Sequence, residues 1–369
     1  MIKGGTQRFV KPFWDKKQGR TIDAAGIIKS LGTFDRLEFD PELIRCPARY
    51  AARIAQAFTA TEAVKVDVDR VVQIDDITTA DRAYKFTDGV GTISNELRDS
   101  ICGRLNNRRK KTLRGKPAAF QIRFRGSKGM VSVDHTLTGS VICLRPSMIK
   151  FQVASGQHND IEIARAFDKP GPCFLNRPLI MLLDGLGVPF EVFGKYQEDA
   201  VKATTVATES LKNAASLLDT HGLGASYRLP SVLLNLDKLG IDNLDRDGFY
   251  GEMIEYAINH VLRDLKNHAR IPVPGAWTLV GVADVHRCLR PNTIFACVHP
   301  EDGGRKYLSG PVLITRSPCI HPGDVMVVEA IGVPPVGSCF AEEPLVNTVV
   351  FSVQGWNFFF GNKVDCSFF

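Results

Sequence analysis

The 369-residue sequence lacks most of the short signatures from which catalysis can be read directly. It has no GxGxxG turn, no GxxxxGK[ST] phosphate loop, no GxSxG elbow and no HExxH pair. Those absences remove the dinucleotide-binding, P-loop, α/β-hydrolase and zincin readings. The nine cysteines form no CxxC pair and no Cys/His ladder, and their number is odd. They read as reduced thiols in a cytosolic or nuclear protein rather than as a disulfide framework. Met1 to Val10 carries Lys3 and Arg8 but no apolar core of a leader, and no run approaches the length of a membrane span, so secretion and membrane insertion are not expected. Charge is also nearly balanced: 46 Lys and Arg against 40 Asp and Glu leave +6, too little on its own to announce nucleic acid.

With 44% hydrophobic residues, the chain has enough apolar surface for one large core or a few smaller ones. Residues 1–83 read as a lead-in, with a helix expected over Pro47 to Phe58 (PARYAARIAQAF). From 84 to 155 short β-rich runs (AFQIRF, MVSV, SVICL) alternate with Gly, Ser and Lys, the texture of a small barrel or sandwich. Residues 156–275 are largely helical. The clearest helix is Phe249 to His268, where Ile254, Ile258, Val261, Leu262 and Leu265 recur at helical spacing before Pro272 ends it. Strand-like runs return over 276–355 (AWTLVGV, TIFACVH, VLITR, DVMVVEAI, NTVVFSV). The last segment, 356–369 (WNFFFGNKVDCSFF), is aromatic in six of fourteen positions without any period, and reads as foreign to the fold.

The densest basic run is Arg104 to Lys116 (RLNNRRKKTLRGK), in which Arg104, Arg108, Arg109, Lys110, Lys111, Arg114 and Lys116 meet no acid. Such a run can neutralise several phosphates; it equally suits a solvated helix face or a nuclear-import signal. Arg123, Arg125, Lys128, Arg145 and Lys150 follow among the strands, with Gly126 and Gly129 beside them, where a backbone can approach a ligand closely. Paired carboxylates were sought as holders of catalytic metal. Asp67/Asp69, Asp75/Asp76 and Asp245/Asp247 read better as turns or helix caps, and the calcium-loop pattern begun at Asn243 fails because Ile254 stands where a glutamate is needed. His321 in HPGD reads as part of a tight turn rather than as a base.

Seven segments carry a resemblance: YKFTDGVGTIS (84–94), PAAFQIRFRGSK (117–128), RPSMIKF (145–151), LNRPLIMLL (175–183), GVAD (281–284), HPGD (321–324) and VVFS (349–352). In their order and spacing the chain resembles the eukaryotic cellular RNA-dependent RNA polymerases of the RNA-silencing type, over about residues 30–355. The resemblance implies an α+β fold with a β-rich core, in which two double-psi β-barrels (84–155 and 276–355, the second incomplete) are joined by the helical connector. It implies that Lys128 and Lys150 face the active centre and meet RNA or nucleotide phosphates, beside Arg123 and Arg145, the further candidates read from charge among the strands. It implies nucleotidyl transfer on Mg²⁺, with a single-stranded RNA template and nucleoside triphosphates as partners and RNA-silencing proteins as further ones. The family's Asp-x-Asp-Gly-Asp loop, expected after VVFS, is not found in this sequence. No catalytic residue or metal ligand is therefore assigned, a truncated reading of a longer gene is expected, and the alternative is a non-catalytic RNA-binding or partner-binding product.

Overall fold

The computed structural model describes residues 61–108, 113, 115–150, 160–241, 244, 247–300, 303–354 and 365–368, together with 13–15, 20–22, 45–48 and 51–52. Strands β1 (Phe13–Asp15) and β2 (Arg20–Ile22) form an antiparallel pair. The helix expected over Pro47 to Phe58 is helical at 47–48 and 51–52, and its remainder lies outside the described residues. The first sheet contains β3 (Glu62–Val64), β4 (Arg70–Gln73), β5 (Val90–Ile93), β6 (Ala119–Phe124), β7 (Ser127–Val133), β8 (Val141–Leu144) and β9 (Ile161–Ala166), in the order β3-β9-β6-β7-β5-β8-β4. Alternation sets the faces: Phe120, Ile122 and Phe124 of β6 turn inward, while Gln121 and Arg123 stay half-exposed on the other side. Parallel pairs (β4 with β8, β5 with β7) alternate with antiparallel ones, so the ladder is not a simple meander. Helix α1 (Asn95–Arg108) buries Leu97, Ile101 and Leu105 at a four-residue interval, and Ser94 accepts from the Leu97 amide at 3.2 Å to cap its start.

After β10 (Gly171–Phe174) come helices α2 (Arg177–Gly185), α3 (Phe190–Thr205), α4 (Leu211–Thr220), α5 (Leu229–Lys238) and α6 (Gly248–His268). Asn176 and Ser210 cap α2 and α4 through their side chains, and Asp247 caps α6 by accepting from the Tyr250 amide at 2.7 Å. The helix at α6 expected from apolar spacing is present and buries Ile254, Ala257, Val261 and Leu265. The second ladder is formed by β11 (Pro272–Ala283), β12 (Thr293–Val298), β13 (Lys306–Tyr307), β14 (Ser309–Arg316), β15 (Val325–Ile331), β16 (Thr348–Phe351) and β17 (Asp365–Phe368), with a short helix α7 (Cys339–Glu342) before β16. Its order is β10-β11-β16-β12-β15-β14-β17, with β13 against β12 and a further pairing of β17 with β11.

Two compact units result. The first contains residues 1–170, 280–310 and 329–364, and one continuous core runs through it: Ile93, Phe120 and Met130 of the first sheet share a cluster with Val280, Phe295, Phe340 and Val350. Phe295 and Phe340 stack with ring centroids 4.5 Å apart. The second contains residues 171–279, 311–328 and 365–369, with apolar clusters around Leu179, Phe193 and Val261 and around Leu218, Leu233 and Ile254. The α+β class expected from the sequence is the one observed.

Two boundaries differ from the sequence reading. The first sheet reaches back to Glu62 and forward to Ala166, beyond the 84–155 expected, because β4 and β8 pair in parallel and β9 covers both β3 and β6. Residues 365–368, read as foreign to the fold, form a strand in register with β14 (Ile314 opposite Phe368, Arg316 opposite Cys366). An edge strand's unpaired backbone groups accept any extended partner, whatever its side chains, which periodicity cannot reveal.

Candidate nucleic-acid interface

The β6–β7 hairpin turns on two residues, Arg125 at φ 43° and Gly126 at φ 77°, the left-handed pair of a type I′ turn. This turn fixes the register and sets Arg123 directly opposite Lys128. Ser127 also bridges to Ile149, and the Lys150 amide donates to Gly126 O at 2.9 Å, so the segment after β8 is fastened to the same turn. Arg123, Lys128 and Lys150 are thus gathered at one end of one hairpin. Lys128 and Lys150 are both half-buried, and Lys150 Nζ donates to Ser147 O at 2.5 Å. Arg123 donates from a terminal nitrogen to Ile122 O at 2.9 Å, while its buried Nε makes no hydrogen bond. Burial pulls its pKa below the ordinary guanidinium value, opposed by Glu162 on the neighbouring strand.

Arg145 is placed differently. It is 4% exposed, donates from Nε to Val90 O at 2.9 Å and from a second nitrogen to Asp75 O, and burial lowers its pKa against the pull of Asp76. Its guanidinium ties β5 to the loop after β4 rather than standing open to a ligand. Beside it lies a network that sequence reasoning missed. Asp76 accepts from Ser147 Oγ (2.7 Å), Ser147 N (3.1 Å) and Thr87 Oγ1 (3.1 Å), and Ser147 Oγ in turn accepts from the Gly89 amide (2.9 Å). These bonds hold the 145–150 segment, and so the stem of Lys150, against the Thr87–Gly91 turn. The sequence signal for it is the spacing of TDG at 87–89 and PS at 146–147, but nothing in that spacing says the two meet.

Of the basic run, Arg104 is exposed on α1 and Lys116 is exposed with Nζ 2.7 Å from Asp99. Arg108 ends α1, and its side chain lies outside the described residues, as do Arg109, Lys110, Lys111 and Arg114. Of the carboxylates read as turns or caps, Asp247 caps α6, whereas Asp69 accepts from Ser140 N at 2.9 Å and Asp76 from Ser147 Oγ at 2.7 Å, partners 71 positions away, and Asp245 lies outside the described residues. In HPGD, His321 Nδ1 accepts from the Gly323 amide at 3.0 Å. Asp324 accepts from Ile320 N and His321 N and pairs with Arg316 Nε at 2.5 Å. The segment is a tight turn, as its Pro-Gly implies.

Among the described residues two groups have the composition and spacing of cation sites: Asp134, His135 and His286, and Asp284, Cys288 and Cys339. Asp134 and His135 are adjacent and Asp284 and Cys288 are four apart, but His286 and Cys339 lie 151 and 51 positions further on, which no spacing rule joins. In the first, burial works against the Asp134 carboxylate, but donors from His286 (3.3 Å) and Thr136 outweigh it and bring its pKa to about 2. Neither group is the all-oxygen set that Mg²⁺ takes.

Residues 3–358 match the family model described as RNA dependent RNA polymerase. The chain is 33% identical over 315 residues to the probable RNA-dependent RNA polymerase 1 of Oryza sativa subsp. japonica, covering 85% of this chain and 40% of that protein. It is 32% identical over 340 residues to RNA-dependent RNA polymerase 1 of Arabidopsis thaliana, covering 90% of this chain and 28% of that protein. A solved structure, the RNA dependent RNA polymerase QDE-1 from Thielavia terrestris, superposes with a TM-score of 0.69 at 17% identity, over 96% of this chain and 41% of that one. The chain thus spans well under half the length of the relatives it matches.

Proposed function

The chain belongs to the RNA-dependent RNA polymerase family, and from that membership we propose that it forms part of the core of an enzyme that copies single-stranded RNA into double-stranded RNA for RNA silencing. The reaction is attack of a 3′-hydroxyl on a nucleoside triphosphate with loss of pyrophosphate, and its metal-dependent step requires acids this sequence does not contain. The role of this segment is positioning and charge: Lys128 and Lys150, with Arg123 behind them, receive RNA or triphosphate oxygens at the hairpin turn. Arg145 and the Asp76–Ser147 pair hold that turn in place. The observation that carries the reading is the convergence of three cations from two separate sequence segments on one turn.

By itself the chain binds RNA without catalysing, and the missing Asp-x-Asp-Gly-Asp segment favours this over activity of the isolated chain. Titrating labelled single-stranded RNA at several salt concentrations tests this. The Lys128→Ala/Lys150→Ala double variant should weaken binding and flatten the slope of log K against log salt by about 1.4, roughly 0.7 for each lost phosphate contact. An unchanged slope sinks the phosphate assignment. Incorporation of labelled nucleotide by the chain alone overturns its non-catalytic role.

A further inference from the structure

Asp284 ends GVAD one residue past the long strand β11, and only 1% of it is exposed. One carboxylate oxygen, Oδ2, accepts from the Leu289 amide at 2.6 Å; the other, Oδ1, is buried and makes no hydrogen bond. Two cysteines converge on this carboxylate: Cys288, exposed four residues on, and Cys339, partly buried at the start of α7. The ligand atoms of the three lie within 4.8 Å of one another, beside a cleft lined by His135, His286 and Phe340. A buried carboxylate oxygen with no donor, facing two thiols, is a poor arrangement for the three groups alone.

We propose that Asp284, Cys288 and Cys339 bind a zinc ion through one carboxylate oxygen and two thiolate sulfurs, with solvent from the cleft in the fourth position. A divalent cation reverses the local charge logic: it supplies the partner Oδ1 lacks and deprotonates the thiols on binding, releasing their protons. Two sulfur ligands select zinc over the hard cations of nucleotidyl transfer, and three protein ligands with one open place is a coordination zinc adopts. Nearby side chains are already committed: Glu343 pairs with Arg98 at 3.3 Å, and Asp134 with His286 at 3.3 Å. Neither is needed as a ligand. The site ties the end of β11 to α7, so it fixes the approach to β16, the strand that ends in VVFS.

The test uses the full chain, purified reduced, loaded with zinc and freed of excess by gel filtration, with bound metal measured by atomic emission. The expected result is one zinc per chain, lost in Cys288→Ser and in Cys339→Ser and retained in His135→Ala. Cobalt loading should give a sulfur-to-cobalt charge-transfer band that vanishes in the same two variants. Cys288 is exposed, so Cys288→Ser is a variant the fold tolerates, and an unchanged far-ultraviolet circular dichroism spectrum verifies this. Two results overturn the site: no zinc retained with all nine thiols titratable, or no zinc and two thiols missing until reductant is added, which identifies a Cys288–Cys339 disulfide instead. Zinc retained equally by both cysteine variants overturns it too.

Discussion

Gly129 and Gly91 determine how closely the strands of the first sheet cross. A Cβ built on Gly129 would lie 2.2 Å from Gly89 O, and one on Gly91 would lie 2.3 Å from Cys143 O, both backbone atoms that cannot swing aside. Gly129→Ala should therefore destabilise the chain by about 3 kcal/mol, at the upper end of overpacking costs, read as a lowered urea midpoint at unchanged slope. His221 belongs to this scale as well. It packs beside Phe174 with ring centroids 5.6 Å apart, and Arg270 lies 4.0 Å over the same Phe174 ring. Burial first, then the Arg270 charge, bring its pKa down to about 4, with Asp264 opposing and His260 assisting. The unfolded state then binds a proton that the folded state refuses, so stability is full above the ordinary histidine value and falls as pH drops from about 6.5 towards 4. After discounting for partial exposure, that loss is on the order of 1–2 kcal/mol, and His221→Gln should remove most of the slope between pH 7 and 4.5.

Among elements, the turn that joins β14 to β15 rests on one carboxylate. Asp324 takes Arg316 and the amides of Ile320 and His321, and although burial works against its charge, these donors hold its pKa below the usual carboxylate range. Asp324→Ala should cost about 2–3 kcal/mol, since it leaves two amides and a guanidinium without an acceptor. Binding of single-stranded RNA should not change, because the turn supplies no cation to the β6–β7 hairpin; a loss of RNA affinity at full folding would show that HPGD touches the ligand. The short motif was legible as a turn from Pro-Gly alone. Its partner Arg316, eight residues earlier on β14, was not, since only the strand's path back brings the guanidinium to the carboxylate.

For the first unit as a whole, the shared core makes the two ladders interdependent. Phe295 of β12 is 1% exposed and belongs to the same cluster as Phe120 of β6, so its removal opens a cavity in the core the two ladders share. Phe295→Ala should cost roughly 3–5 kcal/mol, and hydrogen exchange at the Phe120 and Val350 amides should accelerate together. Protection kept at Phe120 while lost at Val350 would show that the ladders unfold separately. This continuity also bears on the proposed zinc site and on the hairpin proposed to bind RNA, since both lie in that unit.

The sequence alone determined the family, through seven ordered segments; the helix over Phe249 to His268, through apolar spacing; and the candidate cations Arg123, Lys128, Arg145 and Lys150, through charge beside strands. These are local properties, carried by neighbours a few residues apart. Tertiary structure decided what those residues face. It turned Arg145 inward onto two carbonyls, gathered Lys128 and Lys150 at one turn, and brought Asp284 to Cys339 across 55 positions. It also took residues 365–368 into a ladder as β17. Strand pairing is blind to sequence distance, and one backbone donor serves it as well as another, so no periodicity in the chain announces which segments will meet.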